Sequence, residues 1–297
     1  MTYSVNGKIQ ATDFNGFRTL VNDVYADNNS GATAEGSANF GYGQTSIAAV
    51  SVGDKIVKEN WNILFAAIRN CSTHQGSTIT DLPAVDTDDP VVVIPTLVDR
   101  INTIRTNRLN LDSALGTVTS STNTTASGNW DTTRTQTLTS TFTNWNAMRH
   151  FFNAGGEIRL SFDFDGTPNN TTESNWIAMS SAVDLVRVEE STTISNGGVG
   201  FGGVDGSGIG LYDFTALDQT IFSYTPSGYT SEQYIIEAKL NGAPGSATAI
   251  IFTLSFVTPA GGDIIDLTLN SRTANLNPST TGVTIASPTM IASSITP

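Results

Sequence analysis

The chain has 297 residues, enough for one large or two ordinary domains. Only 38% of them are hydrophobic and only 14% are charged, so Ser, Thr, Asn and Gly fill the difference; this excludes charge-driven disorder and suits strands joined by turns. A net charge of −13 with a pI near 4.3 argues against the basic footprint of a nucleic-acid binder and against docking on anionic lipid.

Cys71 is the single cysteine, so no intrachain disulfide can form. No segment approaches the ~18 consecutive apolar residues of a membrane helix. The opening residues, MTYSVNGKIQATDF, lack the apolar core of a signal peptide. The expectation is a protein made and folded in a cytoplasm.

In chain order, residues 4–10 read as a short strand or turn. Thr12 or Asp13 offers an N-cap oxygen, and Phe14, Phe17, Leu20, Val21 and Val24 follow at helical spacing as far as Asp27. A loop from Asn28 runs through Phe40-Gly41-Tyr42-Gly43-Gln44, whose glycines allow close backbone approach around an anchored ring. Val50–Lys58 is a short apolar segment. A second helix is predicted from Glu59 to about Thr73, with Trp61, Leu64, Phe65, Ile68 and Cys71 or Ser72 on one face. Gly76 fits the position just past its end, and His74 sits in its last turn.

An acidic, proline-punctuated loop spans 77–95. Pro95 suits the first turn of a third helix striped by Leu97, Val98, Ile101 and Ile104. Arg100, Arg105 and Arg108 are expected to face solvent or a partner. Three thinly striped helices make a weak independent core, so this region is expected to pack on another chain or on the later domain.

Residues 113–129, dominated by Ser, Thr, Gly and Asn, read as a linker. Trp130–Phe142 reads as a Thr-rich strand. Thr143 or Asn144 then caps a helix carrying Trp145, Met148, Phe151 and Phe152, which Gly155-Gly156 stop. Ile158, Leu160, Phe162 and Phe164 alternate with polar residues as a strand. The helix is expected to plug the core of the domain that follows. Thr172 or Ser174 caps a further helix with Trp176, Met179, Val183 and Leu185 or Val186 on its buried side. Beyond the glycine-rich loop 196–210, strands are predicted at 211–225, 233–240, 248–257, 264–269 and 282–292. The fold class is therefore α+β: a helical region 1–112, a linker 113–129, and a mainly antiparallel, sandwich-like β domain 130–297 with one or two packed helices.

Chemical constellations are weak. Asp86 to Asp89 offer carboxylates to a hard cation, but adjacent carboxylates in a loop do not make a cage. Ser161–Thr172 partly matches a calcium loop but begins with Ser and lacks the twelfth-position Glu. Cys71 and His74 have half a zinc spacing without a second pair, because His150 is the only other histidine. Gly198, Gly200 and Gly203 match a dinucleotide fingerprint without a following helix. No Gly-x-Ser-x-Gly elbow occurs, and paired carboxylates of the kind a glycosidase uses are present as in most proteins. The expectation is no enzyme, no catalytic residue, no cofactor and no metal.

Several phrases resemble virion structural proteins of tailed bacteriophages, particularly those of marine and cyanobacterial hosts. They are Phe40-Gly41-Tyr42-Gly43-Gln44, Val52-Gly53-Asp54-Lys55-Ile56, and Trp61 leading to His74-Gln75-Gly76 in the first half. In the second they are Trp145-Asn146-Ala147-Met148-Arg149, Phe151 to Arg159 (FFNAGGEIR), Tyr234 to Gly242, Ser287-Pro288-Thr289 and the closing Ile295-Thr296-Pro297. The resemblance implies a non-enzymatic particle component of the tail, neck or fibre-attachment region, assembled as a homo-oligomer with other virion proteins. It also admits a capsid decoration, a head fibre or a receptor for host surface glycan, to which the 196–210 loop and Tyr212 would contribute. Trp61, Phe65, Arg100, Arg105 and Arg108 are candidate contacts, since aromatics and Arg are favoured at interfaces; for the aromatics a simple core role is the competing reading. Trp145, Phe151, Phe152, Gly155 and Gly156 are expected to define the fold.

Overall fold

The structure, a computed structural model, describes residues 9–27, 41–86, 94–195, 206–226, 232–258 and 263–297. The chain divides into two compact units. The first gathers Met1–Thr117, Arg149–Gly155 and Pro278–Ala286, and the second gathers Val118–Met148, Gly156–Asn277 and Ser287–Pro297.

Three helices form the frame of the first unit: α1 (Ala11–Tyr25), α2 (Lys58–His74) and α3 (Ile94–Thr106). Their apolar stripes are those the spacing predicts. Phe14, Phe17, Val21 and Val24 of α1 are buried with Leu64, Phe65, Ile68 and Cys71 of α2 and Leu97, Ile101 and Ile104 of α3. The α1 cap position is Gln10, about two or three residues before the expected Thr12 or Asp13, and the Asp13 carboxylate accepts its backbone N–H at 3.0 Å. Gly76 is left-handed, at φ +79°, and ends α2.

Among the described residues between these helices no strand forms, and side-chain amides pair with several of the backbone polar groups. Asn22 on α1 donates to the Ile47 carbonyl at 3.1 Å and accepts the Ile47 N–H at 3.0 Å. Asn15, two turns earlier, does the same to Val50 at 2.8 and 3.0 Å. Asn62 on α2 clamps both backbone groups of Val85 at 3.0 and 2.8 Å. A carboxamide carries one donor edge and one acceptor edge, so it replaces a strand neighbour. Leaving such a buried pair unmade would cost about 1–3 kcal/mol per orphaned group.

Eleven strands are formed among the described residues, all in the second unit but for the first residue of the first strand. They are β1 (Thr117–Ala126), β2 (Arg134–Thr141), β3 (Glu157–Asp165), β4 (Leu185–Val188), β5 (Thr193–Ser195), β6 (Gly206–Ser207), β7 (Gln219–Tyr224), β8 (Gln233–Leu240), β9 (Ala249–Val257), β10 (Thr268–Asn277) and β11 (Thr289–Ala292). One sheet has the order β1-β10-β3-β4-β5-β6 and the other β11-β2-β9-β8-β7. Pairing is antiparallel, with Ser271 opposite Phe162 on β10 and β3 and Phe252 opposite Leu138 on β9 and β2. Helices α4 (Trp145–Asn153) and α5 (Thr171–Val183) flank β3 in the chain.

The two sheets face each other through an aromatic cluster. Phe162 of β3 lies 4.4 Å from Tyr234 of β8 and 5.3 Å from Phe256 of β9, ring centre to ring centre. Trp176 of α5 lies 6.3 Å from Phe162 and 5.6 Å from Trp130. Ring pairs of this kind add about 0.5–1.5 kcal/mol each beyond their burial. The protein is thus α+β, with helices first and a sheet-rich, sandwich-like unit after them.

Several expectations need correction. The supposed linker 113–129 contains the ten-residue strand β1. Its Thr and Ser residues bond to β10 as a strand, so a polar, Gly-flanked composition here marks an edge and not a tether. The α5 cap is Asn170, whose side chain accepts the Glu173 N–H at 2.9 Å, and not Thr172 or Ser174. Leu185 and Val186 lie in β4 because α5 ends at Val183, where Asp184 turns to φ +51°. The stretch 211–225 opens with a short 3-10 turn, Leu211–Asp213, before β7. The strand expected at 264–269 is instead β10, running from Thr268 to Asn277, and that at 282–292 shrinks to β11. Parts of the readings at 4–10, 28–40, Asp88-Asp89 and Gly198 to Gly203 lie outside the described residues.

The largest correction concerns α4. Phe151 and Phe152 are fully buried, but they belong to the first unit, while Trp145, half-buried, and the fully buried Met148 belong to the second. The helix was expected to plug the β domain along its whole length. Polar side chains decide otherwise: Arg149 and Asn153 bond to Asp27 and Gly41 of the first unit.

Candidate functional site

The last turn of α1 leaves carbonyls that need partners. They are met by the backbone of the Gly41-Tyr42-Gly43-Gln44 phrase. Tyr42 N–H donates to Val24 O at 2.9 Å, Gly43 N–H to Ala26 O at 3.0 Å and Gln44 N–H to Tyr25 O at 3.0 Å. Gly41 makes this approach possible: it sits at φ +96°, and a Cβ there would come within 2.3 Å of Ala26 O. The tight turn suspected from its glycines is a strap over a helix end.

The strap holds Tyr42 in the core. Its hydroxyl donates to Arg108 O at 2.7 Å and accepts from Gln75 Nε2 at 2.8 Å, while Gln75 also donates to Ile104 O at 2.9 Å. Burial pushes the Tyr42 phenol well above its usual range. Beside it, 4.8 Å from ring to ring, lies His74, with no exposed surface. His74 Nε2 is 2.9 Å from Ala154 O, and Nδ1 is 3.0 Å from Thr280 Oγ1. A carbonyl only accepts, so Nε2 carries the proton and Nδ1 accepts from the threonine hydroxyl. The imidazole is a neutral cross-tie among three separate chain segments.

On the other side of the strap, Arg149 Nη2 donates to both Asp27 oxygens at 2.9 and 2.8 Å, and His150 Nε2 stands 3.2 Å from the same carboxylate. Burial raises the Asp27 carboxyl, but hydrogen bonds and charge from His150 and Arg149 outweigh it and hold it at about 2. Asn153 donates to Gly41 O at 3.2 Å, and Gln44 clamps Thr284 through both amide edges at 2.9 and 3.0 Å. The knot therefore uses both histidines of the chain and three of the phrases singled out in the sequence: GYGQ, HQG and the run from Arg149 through NAGG.

The knot's polar groups named above are occupied by ties between chain segments. Its imidazole at position 74 is enclosed and doubly bonded, and Cys71, the nearby thiol, is fully buried with its pKa pushed up by that burial. Among the described residues no cluster of His, Cys, Asp or Glu is arranged to hold a metal ion. Among them, too, no helix is long and apolar enough to cross a membrane.

The candidate contacts are not brought together on an open face. Trp61 and Phe65 are 4% and 2% exposed; Trp61 meets Phe14 edge-on at 5.3 Å and Phe65 at 5.8 Å. They are core residues, because the α2 stripe that carries them is the one α1 covers. Arg100 pairs with Asp81 at 2.6 Å on the half-exposed surface, and Arg105 lies 3.9 Å from the buried Asp23 carboxylate. Arg108 contributes its carbonyl to Tyr42 and donates to Arg105 O at 3.3 Å. Of the fold-defining pair of glycines, only Gly155 is left-handed, at φ +81°.

The amide clamps and the Asp27 cluster were missed by sequence reasoning. Their partners lie tens to hundreds of residues apart, and the only available signal was the high Asn and Gly content. No family model, curated protein or solved structure matches the chain.

His74 gives a pH signature. Burial pushes its imidazole down to about 4, against the Ala154 bond, which favours the charged form. The unfolded chain, near 6.5, takes up the proton first. The stability supplied by neutral His74 is therefore complete above pH 6.5 and is lost as pH falls toward 4, at up to about 1.4 kcal/mol per pH unit. Urea unfolding read on α1–α3 amides by hydrogen exchange should show this slope, and His74→Gln should flatten it. A wild-type profile flat between pH 7 and 4 would show that the imidazole is not neutral and buried.

Proposed function

We propose that this protein is a non-enzymatic structural component of a tailed-phage virion, working in the tail, neck or fibre-attachment region through contacts with other virion proteins and with copies of itself. The observation that carries the reading is the convergence of the resembling phrases. Gly41 to Gln44, His74 to Gly76 and Arg149 to Gly155 meet in one buried knot, where each polar group named above serves to tie segments together. Residues shared with a family for catalysis would converge on an open cleft. Residues shared for scaffold geometry converge on a knot like this one. A net charge of −13 and a single cysteine, which allows no intrachain disulfide, also suit a particle built in a host cytoplasm.

The test is proteomics of purified particles from a phage carrying the gene, with copy number and labelled electron microscopy. The protein should be present at a fixed multiple of the tail or neck symmetry. Its absence from particles would sink the reading, and labelling confined to the head would favour a capsid decoration instead.

A further inference from the structure

Among the described residues the two sheets end in four edge strands, and three are short or irregular. β6 has two residues, β11 has four, and β7 has six with a register slip between Thr220 and Phe222. β1 is different. It runs for ten residues, TVTSSTNTTA, and among the described residues it is the outermost strand of its sheet, bonded to β10 on one side. No residue from Ser113 to Trp130 is charged, none is proline, and Val118 is 48% exposed. Natural edge strands are usually blunted by Lys, Pro, bulges or shortness, because an open row of N–H and C=O groups is a template for another strand. The other edges here obey that rule, and β1 does not.

We infer that β1 is an interface, and that its occupant is β1 of a second copy, paired antiparallel about a two-fold axis so that the two six-stranded sheets become one. Self-pairing follows from charge and symmetry. Two copies that each carry −13 repel, and a neutral strand is a place where they can approach. A closed two-fold contact must be self-complementary, and Thr and Ser opposite Thr and Ser are compatible cross-strand neighbours in either direction. A foreign strand selected by this edge would need charges or pockets for specificity, and β1 carries no charged residue. The inference concerns the chain alone and holds wherever in a particle, or outside one, the protein works.

The test uses the full chain. Because Cys71 is fully buried, a single cysteine introduced along 117–126 is the reactive thiol. Two-fold antiparallel pairing requires that mild oxidation yield covalent dimers at positions near the middle of β1, where a residue meets its own copy, and little at either end. Ser223→Cys on β7 and Ile291→Cys on β11 should yield none. In parallel, light scattering should show concentration-dependent dimers that Val118→Lys with Asn123→Lys weakens by about tenfold or more through like charges across the seam. Hydrogen exchange on the unmodified chain should show β1 amides gaining protection with concentration. The inference is overturned by cross-linking that is absent along β1 or equal at β7 and β11. It is equally overturned by β1 protection that is complete at the lowest concentration in a monomer, since the chain itself would then cover the edge.

Discussion

Gly155→Val is expected to destabilise the first unit by about 3–5 kcal/mol, the sum of left-handed strain on a β-branched residue and overpacking. Gly155 sits at φ +81°, and a Cβ there would meet Leu111 Cβ at 2.7 Å and Leu109 O at 3.3 Å. Neither neighbour is a flexible side-chain end. The preceding residue supplies the carbonyl that holds His74, so displacing this turn also breaks the imidazole cross-tie. The effect should reach past α4 into α2 and the 278–286 segment. Urea unfolding followed by hydrogen exchange should show the loss on α1–α3 amides, with Gly155→Ala less affected. If the protein is a virion component, the valine variant should also fail to enter particles. Normal stability together with normal incorporation would show that the turn is not the constraint described.

The second large effect is expected at Asp27. The Arg149 side chain is only 3% exposed, and its Nη2 donates to both carboxylate oxygens. Asp27→Asn removes the charge that accepts two bonds from this buried guanidinium, and breaking a buried pair from one side typically costs about 3–5 kcal/mol, whereas removing both charges together costs less. The double variant Asp27→Asn with Arg149→Gln should therefore be more stable than Asp27→Asn alone. Acid provides an independent check. The folded carboxyl is held at about 2 against a usual 3.8, so its contribution is complete above pH 3.8 and disappears between there and 2. The His74 window lies above this one, and the two substitutions should flatten different parts of the same acid-unfolding curve. An additive double variant with an unchanged acid limb would mean that the pair is solvated.

The helices and most long strands were legible because burial wrote them into the sequence. Phe14, Phe17, Val21 and Val24 repeat at helical spacing, and Tyr234, Ile236, Ala238 and Leu240 alternate along β8 with every second residue buried. β1 was illegible for the converse reason. Its described side chains before Ala126 stay largely exposed, so alternation carried no signal, and its place depends on backbone bonding to β10. The fate of α4 was half legible. Its apolar residues announced a buried helix, but Arg149 and Asn153 determined which core received its second half, and their partners Asp27 and Gly41 are more than a hundred residues away. Trp61 and Phe65 take the core role that competed with the contact reading, because an aromatic suited to an interface is equally suited to a core. The knot was visible only as separate phrases, since no local pattern says that Tyr42 will meet Gln75 or that His74 will meet Thr280.

The tie between His74 and Thr280 spans 206 residues of chain, and that between Gln44 and Thr284 spans 240. During translation the three N-terminal helices emerge long before the segment that completes their core. At about 5–20 residues per second, His74 waits about 10–40 s for its threonine. The first unit therefore cannot be completed before most of the second has been made. The helices can pack their stripes on one another in that interval, Trp61 against Phe14 and Phe65, but His74 and Gln44 stay without these two partners until the segment is made. A ribosome that stops before residue 278 thus releases a chain that lacks the partners of His74 and Gln44 in the first unit.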